Sequence, residues 1–154
     1  MIRPLAAADA DACDAIVASL PYHFGDPDGR AACARAVREQ EGLVVLDRDA
    51  IAGFLTLVRH HPRSAEISWM AVRADCRRRG FGRALVEDAA ERLARDGVRL
   101  LCVLTLGPSA IERRVSDTYA DTRAFYEALG FVPLRELHLL GWNSPALMLV
   151  RPLA

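Results

Sequence analysis

The apolar positions of this 154-residue chain change their period several times, and each period predicts a different element. Over Asp9–Leu20 they recur every three or four residues, which indicates a helix that Pro21 ends. A second helical pattern covers about Asp28–Glu39, with Gly42 as its expected stop. These patterns predict two helices near the start of the chain, separated by a loop rich in glycine and proline.

Two further helical patterns follow in the second half of the chain. An amphipathic stretch over Phe81–Asp96 leads into Gly97, which suits the position after a helix end. A shorter pattern over Thr122–Leu129 is closed by Gly130. We therefore expect four helices.

Short apolar runs bounded by turn residues predict the strands. They are expected at Ile2–Leu5, Leu43–Leu46, Ile51–Val58, Ala65–Val72, Val98–Leu106, Phe131–Leu137 and Ala146–Val150. The Val98–Leu106 run is apolar on both faces, which favours an interior place in the sheet. The element order predicts a single domain over residues 1–154 with an α/β fold, an α+β mixed sheet with helices on both faces.

The strand over Ala65–Val72 is bounded by two turns. The segment 60–64 is expected to be the turn before it, where His60 and His61 would be solvated. Strict alternation along the strand would place Glu66, Ser68 and Met70 on one face and Ile67, Trp69 and Ala71 on the other.

Composition narrows the class of protein. The chain has 20 basic and 20 acidic residues, all of the basic ones arginine. This balance argues against a general nucleic-acid or membrane surface, although residues 73–83 hold five arginines against one Asp. Without a long apolar run or a leader pattern, we expect a soluble cytoplasmic protein.

The four cysteines have neither C-x-x-C nor metal-ligand spacing, so we expect reduced thiols and no metal site. Cys76, beside the arginine-rich segment, is expected to be exposed.

The segment 77–83, Arg-Arg-Arg-Gly-Phe-Gly-Arg, carries the clearest chemical signal. It joins a predicted strand to the start of a predicted helix, where free backbone N–H groups and the helix dipole favour an anion. Gly80 and Gly82 allow a ligand to approach the backbone, and the arginines suit phosphate oxygens. The segment therefore predicts a pyrophosphate site.

Two nucleotide-binding motifs fit this segment poorly. The dinucleotide motif G-x-G-x-x-G needs a third glycine where Leu85 stands, and a P-loop needs a lysine, which the chain lacks.

The sequence around this loop resembles the GNAT superfamily of N-acetyltransferases. Arg-x-x-Gly-x-Gly after an apolar strand is similar to the acyl-CoA loop of that family, and the predicted element order agrees along nearly the whole chain. The resemblance implies a mostly antiparallel central sheet that is splayed at an acyl-CoA cleft. It also implies that acetyl-CoA is the co-substrate and that no metal is needed.

The loop residues implied to bind the co-substrate are Arg77, Arg78, Arg79, Gly80, Phe81, Gly82 and Arg83. Backbone groups of Met70, Ala71 and Val72 would pair with the pantetheine arm like an added strand.

Two residues take catalytic roles by the same resemblance. The stretch Phe125-Tyr126-Glu127-Ala128-Leu129-Gly130-Phe131 is similar to the family's F-Y-x-x-x-G-F helix, whose tyrosine is proposed to protonate the leaving thiolate. Tyr126 holds that position, although the aromatic residues could also be plain core contacts. Glu66 holds the place of the glutamate that acts as general base in histone-acetylating members, although water or another residue could serve.

An amine acceptor, a small molecule or a peptide, would enter the same cleft. His23, Tyr119 and Trp142 are weaker candidates for contacts with it, and each could instead be a core or lid residue. An Asn that contacts CoA in many members is replaced here by Asp121 and Thr122, which leaves that contact in doubt. Dimers are common in the family, so a homodimer is one assembly that the resemblance allows.

Three functions remain open from the sequence. The first is a direct acetyl transfer from acetyl-CoA to a primary amine. The second is a catalytically silent CoA-binding regulatory module, and the third is a non-CoA nucleotide-binding domain.

Overall fold

The computed structural model describes residues 1–21, 23–108, 119–139 and 145–154. The helices in these ranges are α1 Ala10–Ala18, α2 Pro27–Glu39, α3 Phe81–Arg95 and α4 Ala120–Ala128. The strands are β1 Ile2–Pro4, β2 Glu41–Asp47, β3 Ala50–His61, β4 Ser64–Val72, β5 Leu100–Leu106, β6 Val132–Leu137 and β7 Ala146–Pro152. None of these helices is long and apolar enough to cross a lipid bilayer.

The seven described strands form one sheet in the order β1-β2-β3-β4-β5-β7-β6. Every neighbouring pair is antiparallel except β4 and β5, which are parallel and are joined through α3. The mixed, mostly antiparallel sheet is therefore confirmed, and β5 has the interior place that its apolar faces predicted.

The helices cover both faces of the sheet. On one face, α3 buries Leu85, Val86, Ala89 and Leu93 at helical spacing against a core that includes Leu101. On the other face, α1 and α2 pack over a second core. The residues of that second core include Ile16, Val37, Val44 and Phe54.

The second helix ends where it was predicted to end, but Gly42 is not the residue that stops it. Helix α2 ends at Glu39, and Gly42 lies inside β2. A Cβ at Gly42 would collide with the carbonyl oxygen of Leu55 on β3. The glycine is therefore required by the close approach of two strands and not by a helix end.

The turn expected over residues 60–64 is shorter than predicted. Strand β3 continues to His61, and only Pro62 and Arg63 form the turn. His60 is consequently a strand residue, opposite the start of β4.

Strand β4 contains a bulge that overturns the expected alternation. Leu57 pairs with Ile67 while Thr56 pairs with Trp69, so Ser68 is an extra residue. Its hydroxyl donates to Gln40 Oε1 (2.5 Å) and shares a hydrogen bond with Thr56 Oγ1 (2.7 Å).

The side chains beyond the bulge therefore change faces. Met70 packs with the α3 side of the sheet, as Ile67 does, whereas Trp69 and Ala71 pack with the α1 and α2 side. Side chains of a strand alternate between the two faces of a sheet, and the extra residue Ser68 shifts this alternation by one. Strict alternation therefore assigned Trp69, Met70 and Ala71 to the wrong faces relative to Glu66.

Candidate active site

The two parallel strands separate part-way along their length. Pairing between β4 and β5 runs from Ser64–Leu100 to Ile67–Val103 and then stops, although β5 stays paired with β7 as far as Leu106. Beyond this point the backbone edges of β4 and β5 face a cleft of about 940 Å³.

The cleft brings together thirteen of the fifteen residues predicted from the sequence. These are His23, Glu66, Met70, Ala71, Val72, Arg77, Arg78, Gly80, Phe81, Gly82, Arg83, Tyr119 and Tyr126. Trp142 lies outside the described residues, and Arg79 does not line the cleft. Glu66 and Tyr126, which are 60 positions apart in the chain, thus line the same cleft between β4 and β5.

The N-terminus of α3 opens into this cleft. Gly80 precedes the helix with φ of +85°, a conformation that favours glycine, and no side chain caps the helix start. The first amide N–H groups of α3 consequently have no side-chain acceptor, and they can bind an anion.

The arginines of the loop divide into two groups. Arg77, Arg78 and Arg83 are exposed and make no ion pair with any described residue. Arg79 instead donates to both carboxylate oxygens of Asp47 (2.8 and 3.2 Å), and its guanidinium lies 4.9 Å from the centre of the Phe81 ring. Arg79 therefore ties the loop to the end of β2, and the other three arginines are available to a ligand.

Gly82 stands at a narrow part of the cleft. A Cβ built on it would lie 3.4 Å from Phe125 Cζ and 3.6 Å from Val72 Cγ2. Helix α3 therefore passes close to α4 and β4 at this residue, and a side chain there would reduce the space in the cleft.

Tyr126 lies on α4 in an aromatic cluster. Its ring packs edge-on against Phe125 (5.0 Å between centroids) and Phe131 (5.3 Å), and only 4% of the residue is exposed. Burial raises the pKa of the phenol, so it remains protonated at neutral pH. Within the described part of the chain its hydroxyl makes no hydrogen bond, so the O–H can donate to a molecule in the cleft.

Glu66 lines the cleft from β4 and has a partner that the sequence did not suggest. His60 Nε2 lies 2.6 Å from Glu66 Oε1. The side chain of Glu66 is 18% exposed and that of His60 is 54% exposed. His60 was missed because it was assigned to a turn. Strand β3 continues to His61, so His60 lies two residues beyond Val58, the register partner of Glu66, and its side chain reaches the carboxylate.

Further aromatic residues line the cleft beside the early helices. The Tyr119 hydroxyl donates to the carbonyl oxygen of His23 (3.3 Å), and their rings meet edge-on at 5.9 Å. Burial, and next the charge of Arg77, lower the pKa of His23, which favours the neutral imidazole. Phe24 and Trp69 pack nearby with their ring centroids 6.0 Å apart.

The cysteines are free, and Cys76 is buried and not exposed as expected. Cys76 is the last residue of the short 3₁₀ turn Ala74–Cys76, and its side chain is buried there. Burial raises the pKa of its thiol. Burial also raises the pKa of Cys102, beside Glu66, to about 11. In the described ranges, no group of three His, Cys, Asp or Glu residues is arranged to hold a metal ion.

The structure thus arranges an opening parallel strand pair, the glycine-containing start of α3 and a buried tyrosine around one cleft. The chain belongs to the GNAT family, because the family model described as an acetyltransferase (GNAT) domain matches residues 38–133. No curated protein sequence matches the chain significantly.

Solved structures of GNAT proteins have the same fold. A GNAT-family acetyltransferase from Desulfovibrio desulfuricans superposes with a TM-score of 0.84 at 22% identity, covering 100% of this chain and 99% of the other. The ribosomal-protein-S18-alanine N-acetyltransferase from Escherichia coli gives a TM-score of 0.78 at 21% identity, with 100% and 94% covered. An aminoglycoside 6'-N-acetyltransferase complexed with coenzyme A gives 0.74 at 15% identity, with 100% and 97% covered.

Proposed function

We propose that this protein transfers the acetyl group of acetyl-CoA to a primary amine by direct attack in a ternary complex. The observation that carries the proposal is the single cleft that contains the open start of α3, the hydroxyl of Tyr126 and the carboxylate of Glu66. A phosphate site, a proton donor and a proton acceptor in one cavity are the groups that such a transfer requires.

The pyrophosphate of acetyl-CoA fits the N-terminus of α3. Amides of residues 78–83 supply hydrogen-bond donors, and Arg77, Arg78 and Arg83 supply positive charge that no described carboxylate neutralises. Gly80 supports this fit, because its positive φ turns the chain into the helix without placing a side chain in the site.

The pantetheine arm fits the gap between β4 and β5. Residues Met70, Ala71 and Val72 present a strand edge to this gap, where β5 no longer pairs with β4. An extended chain with amide groups can pair with such an edge as an added strand would. The thioester would then lie near the point where the two strands meet.

Glu66 takes a proton from the amine. An amine is protonated at neutral pH and must lose a proton before its lone pair can attack the thioester carbon. The carboxylate of Glu66 lies at the closed end of the cleft, and the hydrogen bond from His60 fixes its orientation. The position of Glu66 beside the last β4–β5 pair supports this role.

Tyr126 donates to the sulfur as the carbon–sulfur bond breaks. Its protonated phenol supplies the hydrogen bond that stabilises charge on the departing thiolate, which then takes the proton. A backbone N–H on β4 beyond the bulge, that of Met70 or Ala71, stabilises charge on the carbonyl oxygen. The amine nitrogen gains the acetyl group, and its second proton passes through solvent water to the Tyr126 phenolate. Glu66 releases the first proton to solvent, and no covalent enzyme intermediate is required.

A coupled assay tests this function. Purified protein is incubated with acetyl-CoA and a panel of amines, free thiol is measured, and acetylated product is identified by mass spectrometry. The panel includes aminoglycosides and alanine peptides with a free amine, because two structurally similar proteins are named as an aminoglycoside and a ribosomal-protein-S18-alanine N-acetyltransferase. Acetylated amine with stoichiometric thiol release supports the proposal. Tight CoA binding without turnover across the panel would instead support the regulatory module, and preference for ATP or NAD over CoA would support the nucleotide-binding alternative.

A further inference from the structure

Thr105 on β5 has a buried hydroxyl that lacks a partner. The residue is 4% exposed, and its Oγ1 is the one buried side-chain nitrogen or oxygen among the described residues that makes no hydrogen bond. A buried hydroxyl without a partner destabilises a folded protein, so such groups are rare and call for an explanation.

Its position in the sheet connects this hydroxyl with the cleft. Thr105 lies two residues beyond Val103, the last residue of β5 that pairs with β4, and it lines the cavity between the strands. Leu101, Val103 and Thr105 alternate along β5, and the first two belong to the core that also contains Tyr126. Thr105 and Tyr126 therefore approach the cleft from the same face of the sheet.

We propose that Thr105 is a binding residue for the acyl-pantetheine arm, and that its hydroxyl hydrogen-bonds a carbonyl or amide group of that arm. This inference rests on the proposed use of acetyl-CoA. A hydroxyl both donates and accepts, so it can pair with an amide N–H or with a carbonyl oxygen. The bound ligand would thus satisfy the polar atom that the protein itself leaves unpaired.

The chain contains a matched threonine that lacks this property. Thr56 on β3 is also fully buried, but its hydroxyl is hydrogen-bonded to Ser68. Replacing each threonine with valine, which has nearly the same shape, should change the stability of the free protein in opposite directions.

The test measures melting temperature without ligand and calorimetric affinity for CoA and acetyl-CoA in Thr105→Val, Thr105→Ser and Thr56→Val. Thr105→Val should raise the melting temperature of the free protein by roughly 2–4 °C, whereas Thr56→Val should lower it. Thr105→Val should weaken ligand binding by about three- to tenfold, and Thr105→Ser, which keeps the hydroxyl, should restore most of the affinity.

The ligands separate the possible partner groups. A loss of affinity confined to acetyl-CoA assigns the contact to the thioester carbonyl, and an equal loss for CoA assigns it to a pantetheine amide. Wild-type affinity in Thr105→Val would overturn the inference. A melting temperature that does not rise would show that the hydroxyl already has a partner in the free protein, which also overturns it. If the wild-type protein bound neither ligand, the proposed function itself would fail.

Discussion

Replacement of Gly82 with valine is the sharpest perturbation of the cleft. Gly82 is the second residue of α3, and a Cβ there would lie 3.4 Å from Phe125 Cζ and 3.6 Å from Val72 Cγ2. The Cβ itself fits at ordinary contact distance. The two methyl groups of valine extend about 1.5 Å farther, so they must press on these neighbours or enter the phosphate site.

The expected magnitudes differ between stability and binding. A glycine inside a helix costs about 1 kcal/mol relative to alanine, so the added side chain partly offsets its own crowding. We therefore expect the free energy of unfolding to change by no more than about 1–2 kcal/mol. The valine side chain should keep the pyrophosphate of CoA from approaching the backbone amides of α3. We expect this to weaken CoA binding by about 2 kcal/mol or more, roughly 30-fold.

Calorimetric titration with CoA, together with thermal unfolding, measures both effects. Ala84→Val is the matched control, because it places the same β-branched side chain in the first turn of α3 outside the cleft lining. The control should bind CoA nearly as the wild type does. A folded Gly82→Val protein with unchanged CoA affinity would falsify the placement of the pyrophosphate at this helix start.

Four other changes test separate parts of the molecule. Tyr126→Phe should lower kcat by about 10²-fold with CoA affinity nearly intact, and full turnover in this variant would return Tyr126 to a purely structural role. Glu66→Gln should reduce kcat/KM most near neutral pH and recover partly at higher pH, where free amine forms in solution; superimposable pH–rate profiles would exclude Glu66 as the base. Arg79→Ser should weaken CoA binding far less than Arg78→Ser, since Arg79 is paired with Asp47, and equal losses by calorimetry would contradict the division of the arginines. Asp9→Asn should destabilise the fold by about 1 kcal/mol at neutral pH. The hydrogen bond from Arg3 lowers the pKa of Asp9 in the folded protein, so the ionised carboxylate stabilises the fold at neutral pH. This stabilisation is lost as the pH falls through the lowered pKa of the folded state. If the wild type and Asp9→Asn still differed in unfolding free energy below a pH of about 2, the role of the Arg3–Asp9 pair would be contradicted.

The general architecture was predictable because long patterns determine it. The amphipathic spacing of α3 and the apolar run of β5 each extend over many residues, so single exceptions did not obscure them. The strand-to-helix passage through Gly80 was predictable for the same reason, since a glycine loop between two strong patterns has few alternatives.

The remaining features depend on contacts between distant parts of the chain. Gly42 resembles a helix stop in the sequence, but its neighbour is Leu55 on another strand. Arg79 is indistinguishable in sequence from Arg78, and only the fold brings Asp47 within 2.8 Å of it. Ser68, at the bulge, likewise hydrogen-bonds to Gln40, which is 28 residues away.

The partner of Glu66 illustrates the same limit in the candidate site. His60 is six residues from Glu66 and lies across a two-residue turn, so their contact requires the exact length of β3. Strand ends are poorly determined by local pattern, and the predicted end at Val58 fell three residues short of His61, which assigned His60 to a turn.

A crystal structure of the protein with acetyl-CoA tests the central claim most directly. We expect the pyrophosphate on the amides of residues 78–83, the pantetheine arm between β4 and β5, and the thioester sulfur within about 3–4 Å of Tyr126 Oη. Acetyl-CoA bound outside this cleft, or a sulfur out of hydrogen-bonding reach of Tyr126, would contradict the proposed mechanism.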